Sequence, residues 1–447
     1  MASSAEQIAS NLNFGAFSKA TELKKRLWFT LGALIVYRLG TFIPIPGIDT
    51  IIISDIFTQQ SGGILGVFDA FAGGALSRMS IFALNVIPYI SAAIIMQLMT
   101  AISPSIEQLK KEGESGRKKI NQYTRYLTVF LAMIQAYGLS VGLEGISTSQ
   151  GPAVHDPGMF FRASTVITIV GGTMFLMRLG EQITARGVGN GISLIIFAGI
   201  VANLPTAFAQ TLELGRTGAL SALFIIGFLV FAIAVVAFIV FFERAQRRII
   251  VQYPKRQVGN RMFGGESSHI PLKLNTSGVI PIIFATSILL TPVSLAGFSG
   301  GGADGTIGLI MAWIGRGQPL FFVLFAALII FFSFFYTAIV FNPQETADNL
   351  KKNGGFVPGI RPGKNTAEFF DYVLTRLTFV GTIYLVAVAL LPEILITRFA
   401  VPFFFGGTSL LIVVVVSLDT VAQIQSHLLA HQYEGLIRKA KLKGRRG

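Results

Sequence analysis

Ten stretches of apolar residues, nearly free of charge, alternate with short polar gaps along this chain. They run roughly over residues 26–43, 76–99, 124–143, 160–180, 190–209, 219–242, 276–297, 318–341, 372–392 and 402–424. About 20 apolar residues carry a helix across the hydrocarbon core of a bilayer. Strands of a membrane barrel would instead alternate every second residue over about ten positions. The run from Ala222 to Phe242, "ALFIIGFLVFAIAVVAFIVFF", does not alternate. The pattern predicts an all-α polytopic membrane protein with ten transmembrane helices. Composition agrees: 52% of the 447 residues are hydrophobic and 13% are charged, against roughly 25% charged in soluble domains.

The gaps differ in charge. Thirty of the 36 Lys and Arg residues fall in every second gap: the N-terminal arm 1–27, then 100–126, 178–190, 243–273, 342–376 and the tail from 425. The other side holds Arg38, Arg78, Arg162, Arg216, Arg316 and Arg398. Basic residues stay cytoplasmic, so both ends are expected in the cytoplasm with an even number of crossings. The first 20 residues are polar with Lys19 as their one base, which reads as a cytoplasmic arm rather than a cleavable signal. A pI near 10 fits membrane-flanking loops attracted to anionic headgroups, and leaves open RNA on a docked partner. Divided at 1–212 and 213–447, the chain gives five spans per half. An odd number per half turns the halves in opposite directions, as in inverted repeats.

Four gaps depart from the short norm. Residues 44–75 are too polar for a full span, yet "GGILGVFDAFAGG" within them reads as a re-entrant or interfacial piece, or else as an ordinary loop. The basic-side gaps 103–121, 243–273 and 342–371 are larger than a bilayer requires and read as protrusions for a protein partner. In the second, alternating "RRIIVQY" predicts a short hairpin. In the third, a helical piece should end at Gly354 and Gly355. Forty-eight glycines, with Pro88, Pro281 and Pro402 in or beside spans, predict close helix approach and broken helices.

Candidate chemistry is sparse. Carriers and proton relays keep ionisable groups at mid-membrane, whereas nearly every charge here sits at a span end, Asp419 among them. That argues against a secondary transporter. "HLLAH", with His427 and His431 at helical spacing, has Leu428 where a metalloprotease needs its Glu. "GVGNG" at 187–191 lacks the strand and acid of a dinucleotide loop and reads as a tight turn into a span. No Ser/His or Ser/Lys dyad supports intramembrane proteolysis. The absence of cysteine excludes thiol catalysis and disulfides. Neither an enzyme activity nor a cofactor or metal is expected. Val86, Ile90 and Ile94, like Ile192, Ile196 and Ile200, form helical stripes. Such stripes are ordinary in membrane helices and assign no role alone.

Several blocks resemble the SecY/Sec61 alpha family of protein-translocation channels. They are "FIPIPG" at 42–47, "GGALSR" at 73–78, "IPYISA" at 87–92, "KKEGESGRKK" at 110–119, "QYTRY" at 122–126 and "GVGNGIS" at 187–193. "GVIP" at 278–281, "VPGIRPG" at 357–363, "FGGTSLLIVV" at 405–414 and "QYEGLIRKAKLKG" at 432–444 continue the series to the end of the chain. The resemblance implies two inverted five-helix halves around a central hourglass pore that conducts unfolded polypeptides and releases apolar segments sideways into lipid. Its aliphatic pore ring maps onto Val86, Ile90, Ile192, Ile196, Ile283 and Ile412, with Val86 where Ile is usual. Its plug maps onto about 64–77, including Ile64, Leu65, Val67, Phe68 and Phe71. Its lateral gate would lie between the second and third spans and the seventh and eighth, with Ser91, Gln97, Asn275 and Thr291 lining it. Lys255, Arg256 and Arg361 resemble docking residues for a SecA motor ATPase or a ribosome, whose RNA an Arg can grip. Small subunits resembling SecE and SecG, accessory proteins resembling SecD, SecF and YidC, signal sequences, nascent chains and the bilayer are the other implied partners.

Overall fold

The computed structural model describes residues 21–59, 69, 71–148, 151–218, 221–253, 256–258, 261–263, 267–297, 318–399 and 407–443. Its first half contains α1 (Thr21–Gly40), α2 (Thr50–Gln59), α3 (Ile87–Ile102), α4 (Pro104–Lys111), α5 (Glu114–Glu144), α6 (Met159–Arg186), α7 (Gly191–Ala202) and α8 (Leu204–Arg216). The second contains α9 (Ala222–Arg244), α10 (Ile280–Gly297), α11 (Pro319–Val340), α12 (Pro343–Lys352), α13 (Lys364–Phe399) and α14 (Gly407–Lys443). Six short strands, β1 (Ser147–Thr148), β2 (Gly151–Pro152), β3 (Gln246–Gln252), β4 (Arg256–Val258), β5 (Arg261–Phe263) and β6 (Ser267–Lys273), form antiparallel pairs β1–β2, β3–β6 and β4–β5. Among the described residues, seven helices are long and apolar enough to cross a membrane, or eight when α3 and α4, bent by 98° at Ser103, count as one span. Helices α1 and α10 occupy two further expected spans.

The second span departs from its expected range. Residues 76–86 form turns, and helix begins only at Ile87. Met79 and Asn85 take left-handed backbone, φ 44° and 49°, which a helix cannot include. Pro88 then sits in the first turn of α3, where its missing N–H costs nothing. The turn segment is tied to the loop after α1 by a bridge between Pro44 and Ser80.

Two ion pairs join α5 and α6 at well-separated levels. Near the start of α5 and the end of α6, Arg125 donates to both oxygens of Glu181 at 2.9 and 2.8 Å. At the opposite ends of the same helices, Arg162 donates to Glu144 at 2.9 and 2.6 Å. The 19 helical steps from Arg125 to Glu144 rise about 28 Å, close to the hydrocarbon thickness of about 30 Å. Between these pairs the surface is apolar. On α9 only 6% of the most apolar window is buried, so most of its surface is left for lipid or a partner. Helix α14 closes the bundle, packing on α9 and α13 of its own half and on α1 and α7 of the other.

Close helix approaches use glycine as expected. A Cβ on Gly172 would strike the carbonyl of Ile81, and one on Gly191 the carbonyl of Gly180. The "GVGNG" turn enters α7 with Asn190 as its cap, its side chain accepting from the amides of Ile192 and Ser193.

Two of the long basic gaps, 243–273 and 342–371, form one domain-like unit. Strands β3 and β6 pair from Gln246↔Lys273 to Gln252↔Ser267, and α12 is capped by the Asn342 side chain. Gly354 then turns with φ 74°. Ile249, Val251 and Leu272 of the hairpin pack with Ala347, Leu350 and Val357, and with Phe370 and Leu374 of α13. Gln252 and Phe356 exchange backbone hydrogen bonds at 2.9 and 3.0 Å, joining the two loops directly. On the same side, Lys273 lies 4.0 Å from Asp419.

Candidate pore and gate

The six residues implied for the pore ring come from separate parts of the chain and meet in one apolar cluster. Val86, Ile90, Ile196, Ile283 and Ile412 are buried members, and Ile192 packs against them. Val86 ends the turn segment, Ile90 lies on α3, Ile192 and Ile196 on α7, Ile283 on α10 and Ile412 on α14. Four of them, Ile90, Ile192, Ile196 and Ile283, line a cavity of about 410 Å³ that also reaches Gln97, Thr184, Asn190 and Phe284. Helical stripes alone could not show this, because the stripes belong to helices far apart in sequence. Of the expected plug residues, Phe71 is buried in the same cluster. Ile64, Leu65, Val67 and Phe68 lie outside the described residues.

Helix α10 packs against α3 and α5 on one side and α11 on the other, so the elements implied for the gate are neighbours. Ser91 and Gln97, both on α3, each bury a side-chain oxygen with no hydrogen-bond partner among the described residues. Asn275 is placed differently. It is buried just before α10, and its amide donates to Glu243 Oε1 at 2.7 Å and to the Gly278 carbonyl at 3.1 Å. Glu243, at the end of α9, is itself buried and accepts from Tyr384 of α13 at 3.4 Å. Asn275 therefore fastens the start of α10 to α9 and α13. The Thr291 side chain lies outside the described residues.

Sequence reasoning passed over Gln135. It sits in α5, is 5% exposed, and neither its amide oxygen nor its nitrogen has a partner among the described residues. One Gln inside the apolar run 124–143 was the available signal. A buried polar group without a partner costs about 1–3 kcal/mol. Gln135→Leu is therefore expected to stabilise the resting protein by about that amount. Thermal unfolding in detergent measures it, and a lowered midpoint would reject the unpaired state.

Of the implied docking residues, Arg361 is exposed in a turn framed by Gly359, φ 83°, and Gly363, φ 107°. Its carbonyl accepts from the Thr366 hydroxyl at 2.9 Å, which fixes the backbone while the guanidinium enters no hydrogen bond or ion pair among the described residues. Arg256 lies on β4, and Lys255 falls outside the described residues.

A bundle of long apolar helices that bury a shared aliphatic cluster defines a polytopic membrane protein. The SecY family model matches residues 80–421. The protein translocase subunit SecY of Rickettsia conorii (strain ATCC VR-613 / Malish 7) is 56% identical over 429 residues, 96% of this chain and 99% of that protein. The subunit of the same name from Escherichia coli (strain K12) is 55% identical over 424 residues, 95% and 96% of the two chains. Among solved structures, one described as a protein-conducting channel matches with a TM-score of 0.64 at 17% identity, covering 91% of this chain and 92% of that one. Sec61 in the canine ribosome-channel complex from the endoplasmic reticulum matches with a TM-score of 0.61, at the same identity and coverage. These two likenesses speak for the fold. The chain belongs to the SecY family.

Proposed function

We propose that this chain is the channel subunit of a protein translocase, passing unfolded polypeptides across a bacterial plasma membrane and releasing apolar segments into it. The observation that carries this reading is the convergence of Ile90, Ile192, Ile196 and Ile283 around one cavity, with Val86 and Ile412 in the same cluster. A moving polypeptide presents every kind of side chain, so hydrogen-bonding walls would hold it at each step. An aliphatic ring offers no specific partner and dewets when closed, which impedes ions. The segment around 64–77 is its plug. Separation of α10 and α11 from α3 and α5, past Ser91, Gln97, Asn275 and Thr291, is the sideways exit, taken because apolar segments are favoured in lipid. The two inverted halves are 1–212 and 213–447.

The basic loops lie in the cytoplasm with both termini, following the bias of charge. Their hairpin and α12 form a platform for a motor ATPase of the SecA kind or a ribosome, with Lys255, Arg256 and Arg361 as the docking residues. SecE- and SecG-like subunits cover lipid-facing helices, and SecD-, SecF- and YidC-like proteins act alongside. The chain catalyses no chemistry, and the driving energy comes from those partners. Reconstitution of the purified chain with its small subunits, a motor ATPase and ATP tests the reading. Signal-bearing polypeptide is expected to become protease-protected inside the vesicles. No protection under conditions where the motor hydrolyses ATP would sink it.

A further inference from the structure

Three guanidinium groups and one carboxylate meet in a second cavity, of about 420 Å³, between α3, α5 and α6. Arg125 of α5 lines it with Arg178, Glu181 and Arg186 of α6, and the neutral amides of Asn121 and Gln182 lie beside them. Glu181 accepts from Nε and Nη2 of Arg125 at 2.9 and 2.8 Å, and from Nη1 of Arg178 at 3.2 Å. One carboxylate thus orients two guanidiniums, and each keeps further N–H groups, since a guanidinium carries five. The Arg186 guanidinium and the side-chain amides of Asn121 and Gln182 enter no hydrogen bond or ion pair among the described residues. Fastening α5 to α6 needs only the Arg125–Glu181 pair. It explains neither the surplus of positive charge nor the space.

The position of the cavity narrows its ligand. Arg125 stands at the start of the apolar run 124–143, Arg178 at the end of the run 160–180, and Arg186 beyond it. Two spans therefore give way to basic gaps at this level, where a bilayer carries its phosphates. Exposed apolar surface adjoins the arginines: Tyr126, Phe130 and Met133 share one face of α5, and Phe175 lies one turn before Arg178 on α6. Acyl chains would lie along that surface with their head group in the cavity. We infer that this cavity is a binding site for a phosphate group. Arg178 and Arg186 grip its oxygens, Arg125 and Glu181 hold the wall in shape, and Asn121 and Gln182 donate at the edge. Guanidinium forks match phosphate geometry, and basic pockets between membrane helices suit anionic head groups.

The test measures lipid binding to the full chain with its small subunits by native mass spectrometry in detergent, for the original protein and for the double variant Arg178→Gln and Arg186→Gln. The probes are phosphatidylglycerol, a diacylglycerol with the same chains and no phosphate, and glycerol 3-phosphate, which has phosphate and no chains. Phosphatidylglycerol is expected to bind the original protein at least about tenfold more tightly than diacylglycerol, and the double variant to lose about tenfold, as for one charge-assisted contact. Glycerol 3-phosphate that binds as tightly as the lipid, and only with the arginines present, supports the site and makes a soluble phosphate ester its source. Equal binding of phosphatidylglycerol by the two proteins, or binding no better than diacylglycerol, overturns the site. Lys351→Gln with Lys352→Gln removes two exposed charges from α12 and should leave binding unchanged. An equal loss there would show general attraction to charge and overturn the site as well. If the double variant lowers the thermal midpoint, Arg186→Gln alone, which breaks no described bond, serves as the same test.

Discussion

Ile196→Asn is expected to raise the ion conductance of the resting channel by an order of magnitude or more. Ile196 is 3% exposed and lines the cavity with Ile90, Ile192 and Ile283. Water is held out where these aliphatic side chains meet, because they offer it no hydrogen bond. An amide placed there either finds water or remains unpaired at a cost of about 1–3 kcal/mol. That difference favours the wetted state roughly 5- to 140-fold, at about 1.4 kcal/mol per factor of ten. Ile196→Leu keeps volume and polarity and should leave conductance near its original value. Single-channel recording in planar bilayers decides between them. If both variants stay tight, the seal lies elsewhere than at these aliphatic residues.

Arg361→Glu should abolish motor-driven transport, by at least about tenfold if one charge-assisted pair at the interface is lost. Folding should be untouched. The exposed side chain has no described partner, and the turn is held by the Thr366 hydroxyl on the Arg361 carbonyl. The readouts are ATP-dependent protection of a signal-bearing polypeptide and, as a control, the thermal midpoint. Arg361→Lys discriminates further, because lysine retains charge without the planar fork. Full transport in the Glu variant would reject docking at this residue, and a lowered midpoint would show that the loss is structural.

Much of the architecture was legible in the sequence because a bilayer imposes simple demands. Apolar length gave the spans. The alternation in "RRIIVQY" gave the β3–β6 hairpin, and Gly354 the end of α12. Legibility failed where a decisive contact joins residues remote in sequence. The partner of Asn275 is Glu243, 32 positions earlier, and no local pattern links them. Tyr37 looks like any aromatic in an apolar helix until its hydroxyl is found on the Ala72 carbonyl. The second span misled for another reason. Residues 76–86 are as apolar as a helix, but turns at Met79 and Asn85 bury that surface without helical hydrogen bonds. The residues expected in the pore ring illustrate the same limit: resemblance named them, and only three-dimensional packing brought all six into one apolar cluster.

The continuity of α13 has a mechanical consequence. From Lys364 to Leu391 its 28 residues are unbroken and form a rod about 42 Å long. Phe370 and Leu374 anchor one end in the core of the basic hairpin and α12. Further along, Gly381 is so close to the Leu274 carbonyl that a Cβ would lie 2.7 Å from it, one residue from Asn275. A load applied to the exposed loops thus has a stiff lever reaching the root of α10, with Gly381 as the bearing surface.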